Sequence, residues 1–372
     1  MDNELLPIRR DKIQLGFAAI NKTLESKIPS NKESEGRGKN YVTWGDNDDY
    51  PNFLYQAYLD CPIVSTIING TADFICGNSV KPTVAGFEYA NKKGETWESL
   101  FSKAAIDYLI FGVAYIQVIR NVKGNVSEFY HLDSRFVRSD EYNQMFFYNK
   151  EFGKKWSRSS KTLIYPLFVE GATDVPSSVI CIKTPQSRGV YGIPIWGSAI
   201  KSVMTEIGID TFHLNELDNN FAASAIINFN NGQPSEEQVD EIEKNVEEKF
   251  TGAENAGRFL LSFNNGKDNA TTIERLSGDD FDKRYDTLAK KTQQQIFTAF
   301  GANPNLFGIP TENNGFSNEQ YEESFRLYNR TRVRPIQKRL IDSIDKAINQ
   351  MGSITIDPFS LTDNDNEDNN VQ

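Results

Sequence analysis

Apolar positions along the chain recur in two ways. Steps of three and four mark amphipathic helices, and alternation marks half-buried strands. Helical spacing links Phe53, Leu54, Ala57 and Tyr58, with Pro51 well placed at the start, and returns over 63–75, where Gly77 closes it. A helical pattern beginning at 97 yields at Gly112 to a strand over 114–120. A turn at Lys123-Gly124-Asn125 and a strand over 126–132 then complete a hairpin. Short strands are predicted at 145–148, 162–168 and 179–183, so the first half is mixed α and β.

The pattern changes at Pro194. Trp196, Ile200, Val203, Ile207, Leu214, Leu217 and Phe221 recur on one face of a long helix, which at ~1.5 Å per residue spans roughly 40 Å. A small insert follows: a strand over 225–230, a helix capped by Ser235-Glu236-Glu237 and running to about 250, and strands over 258–263 and 271–276. A second long helix opens at Gly278-Asp279-Asp280, carries Phe281, Tyr285, Leu288, Ile296 and Phe300 at helical spacing, and stops at Gly301-Ala302-Asn303-Pro304. Pro304, Gly308, Pro310 and Gly315 make the next segment a loop. Ser317 and Gln320 have capping-box spacing for a last helix, whose buried stripe is Phe325, Tyr328, Ile336, Leu340, Ile344 and Ile348. Pro335 lies inside it and is expected to kink it. Residues 21–40 read as a mobile arm, and the Asp/Asn/Glu run over 362–370 as a disordered tail.

With 372 residues, the chain has room for about two domains. Its aromatic content, 25 Phe, 15 Tyr and 4 Trp, points to ring-filled interfaces of an oligomer. A net charge of −11 and a pI near 4.9 disfavour tight duplex binding, which needs a basic face, and suit a surface that DNA slides past. Cys61, Cys76 and Cys181 have no metal-ligand spacing and read as small buried hydrophobes in a reducing compartment. Neither a signal peptide nor a membrane span is expected: the longest apolar run, 108–118, falls well short of roughly 20 residues.

Candidate chemistry is sparse. Asp46, Asp48 and Asp49 can be a divalent-metal site of a nuclease or hydrolase, but without a glycine-spaced cation loop they read better as a turn of solvated carboxylates. His131 and His213 are far apart with no nucleophile motif beside either, and there is no phosphate-binding loop of the Walker type. No cofactor is expected. The insert helix is strongly acidic (Glu236, Glu237, Asp240, Glu241, Glu243, Glu247 and Glu248), either a solvated face or a docking surface. Lys283, Arg284, Lys290 and Lys291 on the second long helix can face DNA or pair with carboxylates of a neighbouring subunit.

The order helix, strand–helix–strand insert, helix, Pro/Gly loop, kinked helix resembles that of tailed-bacteriophage portal proteins. The likeness extends to Trp44-Gly45 through Pro51, Gly112-Val113-Ala114-Tyr115-Ile116, Tyr191-Gly192-Ile193-Pro194, Asn219-Asn220-Phe221, Thr251 to Arg258, Ile296 to Gly308, and Ser317-Asn318-Glu319-Gln320. It covers about 41–351. It implies an α+β portal fold: an N-terminal arm (1–40), a mixed α/β wing (41–198), stem helices (199–222 and 280–302), a small α/β clip (223–279), a tunnel loop (303–318), a kinked wing helix (319–351) and an acidic disordered tail (352–372). A helical crown would be absent or minimal. The resemblance further implies a non-enzymatic subunit of a ring, usually twelvefold, at one capsid vertex of the virion, assembled in the host cytoplasm. Its implied partners are the packaging ATPase (large terminase), the head–tail connector, the major capsid protein and the double-stranded DNA in its channel. Glu312, Asn313, Asn314, Gly315 and Phe316 would form the tunnel loop at the narrowest point. A shorter head–tail adaptor ring is the other structural reading, although adaptors lack paired long helices around an insert.

Overall fold

The computed structural model describes residues 28–35, 40–152, 161–218, 225–229, 259–263, 272–275, 279–309 and 318–359. The chain divides into two compact units. One comprises Met1–Met204 with Gln295–Gln372, and the other Thr205–Gln294.

The larger unit begins with β1 (Glu33–Glu35) antiparallel to β2 (Val42–Trp44). Helices α1 (Tyr50–Asp60) and α2 (Pro62–Cys76) each carry proline in their first turn. There its missing N–H costs nothing and its fixed φ suits the helix. After β3 (Ser79–Pro82) comes α3 (Trp97–Phe111), capped by the Thr96 hydroxyl, which accepts from the Ser99 N–H at 3.2 Å. Gly112 ends α3 with φ +71, and β4 (Val113–Arg120) starts at once. β4 lies between β5 (Val126–Leu132) and β9 (Ser177–Lys183), antiparallel to both, and all its residues but Gln117 and Ile119 are buried. A second sheet holds β6 (Val137–Ser139), β7 (Met145–Tyr148) and β8 (Leu163–Pro166). The core joins Trp44, stacked on Tyr191 at 4.3 Å, to Trp97, Phe101, Phe111 and Phe129.

A 3₁₀ turn (Ile195–Ala199) leads into α4 (Ile200–Asp218). The smaller unit has a sheet with β10 (Ala225–Phe229) at its centre, parallel to β11 (Phe259–Phe263) and antiparallel to β12 (Thr272–Arg275). Helix α5 (Asp279–Phe300) follows. Then come α6 (Asn318–Tyr328), a π-helical turn (Asn329–Val333), α7 (Arg334–Ile348) and β13 (Ile354–Asp357), which pairs antiparallel with β3.

Two expectations are corrected. Part of the arm is ordered: β1 is held by its pairing and by Glu33, whose carboxylate accepts the N–H groups of Val190 at 2.7 Å and Tyr191 at 2.8 Å. The segment after the last helix is not all tail. Ile354 is buried, and Asp345 accepts the N–H groups of Gly352 and Ser353 at 2.8 and 2.9 Å, which turns the chain back onto β3. The acidic run over 362–370 lies outside the described residues. Pro335 sits in the first turn of α7, directly after the π turn. Proline cannot donate to the preceding turn, and a widened turn is one way a helix accommodates this.

Candidate functional site

The two long helices run side by side and antiparallel where their contacts are described. The Ser202 hydroxyl donates to Gln295 Oε1 at 2.8 Å, and the Thr292 hydroxyl donates to the Glu206 carboxylate. Burial between the helices pushes the Glu206 carboxyl above its ordinary range, the Thr292 bond opposes this, and nearby Asp210 adds to it. Trp196 stacks on Phe300 at 6.5 Å and donates from Nε1 to the Leu109 carbonyl at 3.1 Å, tying the start of one helix and the end of the other to α3.

Beyond Phe300 the chain is braced. Gly301 has φ +64, and the Arg332 guanidinium lies where a side chain would be, 2.6 Å from an ideal Cβ. A cation there also complements the C-terminal end of the α5 dipole. Asn303 Nδ2 donates to Ser324 Oγ at 3.0 Å. Pro304–Phe307 form a 3₁₀ turn that places Phe307 edge-on to Tyr328 at 5.8 Å and near Phe74 and Phe297. Tyr328 is itself buried and shares a 2.7 Å hydrogen bond with Thr71. Residues 303–307 thus sit on a platform built of α2, α5 and α6.

Glu312, Asn313, Asn314, Gly315 and Phe316 lie outside the described residues, as do Glu236, Glu237, Asp240, Glu241, Glu243, Glu247 and Glu248. Lys283 and Arg284 are helical residues of α5 whose side chains are not described. Lys290 and Lys291 are exposed, and Lys290 reaches Asp286 of its own helix at 3.2 Å.

The Asp46–Asp49 cluster is not uniformly solvated, which corrects the sequence reading. Asp48 is buried at φ +61; it accepts the Trp44 N–H at 2.9 Å and forms an ion pair with Arg138, which is fully buried. Arg138 also donates to the carbonyls of Asp48, Arg135 and Val137. A guanidinium bonded to this carboxylate makes the spot electrostatically hostile to a second cation. Among the described residues no group of three or more His, Cys, Asp or Glu side chains is arranged to hold a metal. His131 Nε2 lies 2.8 Å from Asp107, which also accepts the Ser134 N–H. Burial alone would lower the His131 pKa, but the Asp107 charge and hydrogen bond prevail and raise it. The pair fastens β5 to α3. Among the described residues no helix is long and apolar enough to cross a membrane. Burial pushes the Cys76 and Cys181 thiols up to about 12, as expected of inert packing residues.

The family model "Phage portal protein" matches residues 82–366. The chain belongs to the phage portal protein family. This portal-family fold is shared with components of gene transfer agent particles. The chain is similar to one in the virion of the native particle, at TM-score 0.55 and 18% identity over 83% of each chain. It is also similar to one in the neck of the native particle computed with C12 symmetry, at TM-score 0.56 and 17% identity over 91% of this chain and 89% of that one. An HK97 family phage portal protein from Corynebacterium diphtheriae aligns at 13% identity and TM-score 0.48. An uncharacterized protein of Rickettsia bellii (strain RML369-C) is 29% identical over 138 residues, 37% of this chain and about a third (34%) of the relative's length.

Proposed function

We propose that the chain is the non-enzymatic subunit of a closed ring at one vertex of a phage capsid, through which double-stranded DNA enters during packaging and leaves on ejection. The family match over 82–366 carries this reading. The fold shared with a neck component computed with C12 symmetry supports a ring, and twelve copies as its number. Ring closure requires a heterologous interface between unlike faces of neighbouring copies. In this reading, α4 and α5 are the stem, the β10–β12 sheet belongs to the clip and the larger unit is the wing. The acidic run over 236–248 docks the packaging ATPase and later the tail connector, the wing meets the major capsid protein, and assembly takes place in the host cytoplasm. The portal reading is favoured over a hydrolase because Asp48 is already committed to Arg138.

The tunnel loop, with Glu312, Asn313, Asn314, Gly315 and Phe316, offers DNA polar and mostly uncharged groups, which touch phosphates briefly at the narrowest point without strong ionic attraction there. Deleting 312–315 tests the function. Capsids carrying the deleted chain should still contain the ring but fail to package or retain DNA. Wild-type DNA content in those capsids would contradict the assignment.

A further inference from the structure

Between Arg326 and Ile341 the chain carries six cations and no carboxylate, in a protein of net charge −11. Three of the six are engaged. Arg332 lies over Gly301, Arg339 donates to the Tyr108 hydroxyl at 3.3 Å, and Lys338 pairs with Asp342 at 2.8 Å. The other three, Arg326, Arg330 and Arg334, are exposed. Among the described residues their guanidinium groups have no hydrogen-bond or ion-pair partner. Glu322 and Glu323, one turn before Arg326, are exposed and form no ion pair with it.

The three arginines are spaced i, i+4, i+8. In a regular α-helix each step of four overshoots a full turn by about 40°, so such a series drifts around the axis. Here the second step crosses the π turn at Asn329–Val333. A π turn closes i→i+5 bonds and carries more residues per turn, so it gives back much of the drift and draws the three side chains towards one line. The stripe is about 12 Å long, since eight residues rise ~1.5 Å each. A duplex laid alongside offers a phosphate every ~3.4 Å of axis on each strand, so three or more phosphates face the stripe. Guanidinium groups keep their charge at any working pH and fork onto phosphate oxygens.

We infer that Arg326, Arg330 and Arg334 form a binding stripe for the phosphate backbone of duplex DNA, blind to sequence. The choice of DNA as the polyanion rests on the proposed portal reading; the cationic stripe does not. Contact is local and salt-sensitive, and is compatible with the acidic chain as a whole because only one helix face takes part.

The test uses the full-length purified protein, a fluorescein-labelled 40-base-pair duplex of arbitrary sequence, and anisotropy titrations from low to physiological salt. The variant is R326Q/R330Q/R334Q. A control variant, K81Q/K123Q/R188Q, removes the same charge from three exposed cations elsewhere. The stripe variant should lose at least about tenfold in affinity at low salt. Its slope of log K against log salt should also flatten by about 2–3, one unit per lost phosphate contact. The control should change little. Unchanged DNA binding by the stripe variant, or an equal loss in the control, overturns the inference. Altered ring sedimentation with DNA binding intact also overturns it and assigns the stripe to an acidic protein surface. Failure of the wild-type protein to form rings counts against the portal reading instead, and leaves the anisotropy result to decide the stripe.

Discussion

Asp48 and Arg138 show how far a residue's role can lie from its local sequence context. Ninety positions separate them, and Asp48 looks like one of several turn carboxylates beside Pro51. Folding brings both into the interior, where the carboxylate satisfies the guanidinium and the guanidinium holds β6 and the turn before α1 together. Removing one partner of such a pair leaves a buried charge uncompensated, which typically costs ~3–5 kcal/mol. Arg138→Met should therefore destabilise the protein by about that amount, read as a shift in the chemical denaturation midpoint. A loss below about 1 kcal/mol would show that water or another group takes the place of the guanidinium. No pattern of spacing exposes this pair, because an ion pair between distant segments leaves no periodic trace. The same holds for Glu33, whose two N–H partners lie 157 and 158 positions away.

Elements with a strong period are readable in the sequence and short ones are not. The expected helix over 63–75 corresponds to Pro62–Cys76, and the hairpin over 114–132 to Val113–Arg120 and Val126–Leu132. Both stretches are long enough for periodicity to rise above the noise of single residues. Glu33–Glu35 and Ile354–Asp357 have only three and four residues in polar surroundings, and their strand character comes from the partners they pair with. The cation-rich run around Tyr328 is plain in the composition, but the π turn beside Pro335 that aligns its arginines leaves no periodic trace in the sequence. Gly112 is legible as the hinge between α3 and β4, and its surroundings show why. It holds φ +71, and an added Cβ would fall 2.3 Å from backbone atoms of Ile193. Gly192 approaches Gly112 from the other side at 2.4 Å by the same measure, so two backbones meet with no room between them. Gly112→Ala combines left-handed strain with a clash against main chain that cannot rotate away. It should cost roughly 3 kcal/mol or more, seen as a large fall in melting temperature or loss of soluble protein. A variant that melts like the parent would mean that the segment around Ile193 can move aside.

At the scale of the whole molecule, the family and the fold are established, and the ring is the step that gives them a function. Exposed apolar side chains such as Leu163, Ile164 and Val169 are the kind of surface that assembly covers. The most direct measurement is electron microscopy of the purified full-length protein, with particle mass measured in parallel. Closed rings are expected, with a central hole wide enough for duplex DNA and a mass that is a whole multiple of the 42.1 kDa chain, twelve copies in the assembled virion. Compact monomers at every concentration and salt, with no ring in the imaged field, would contradict it.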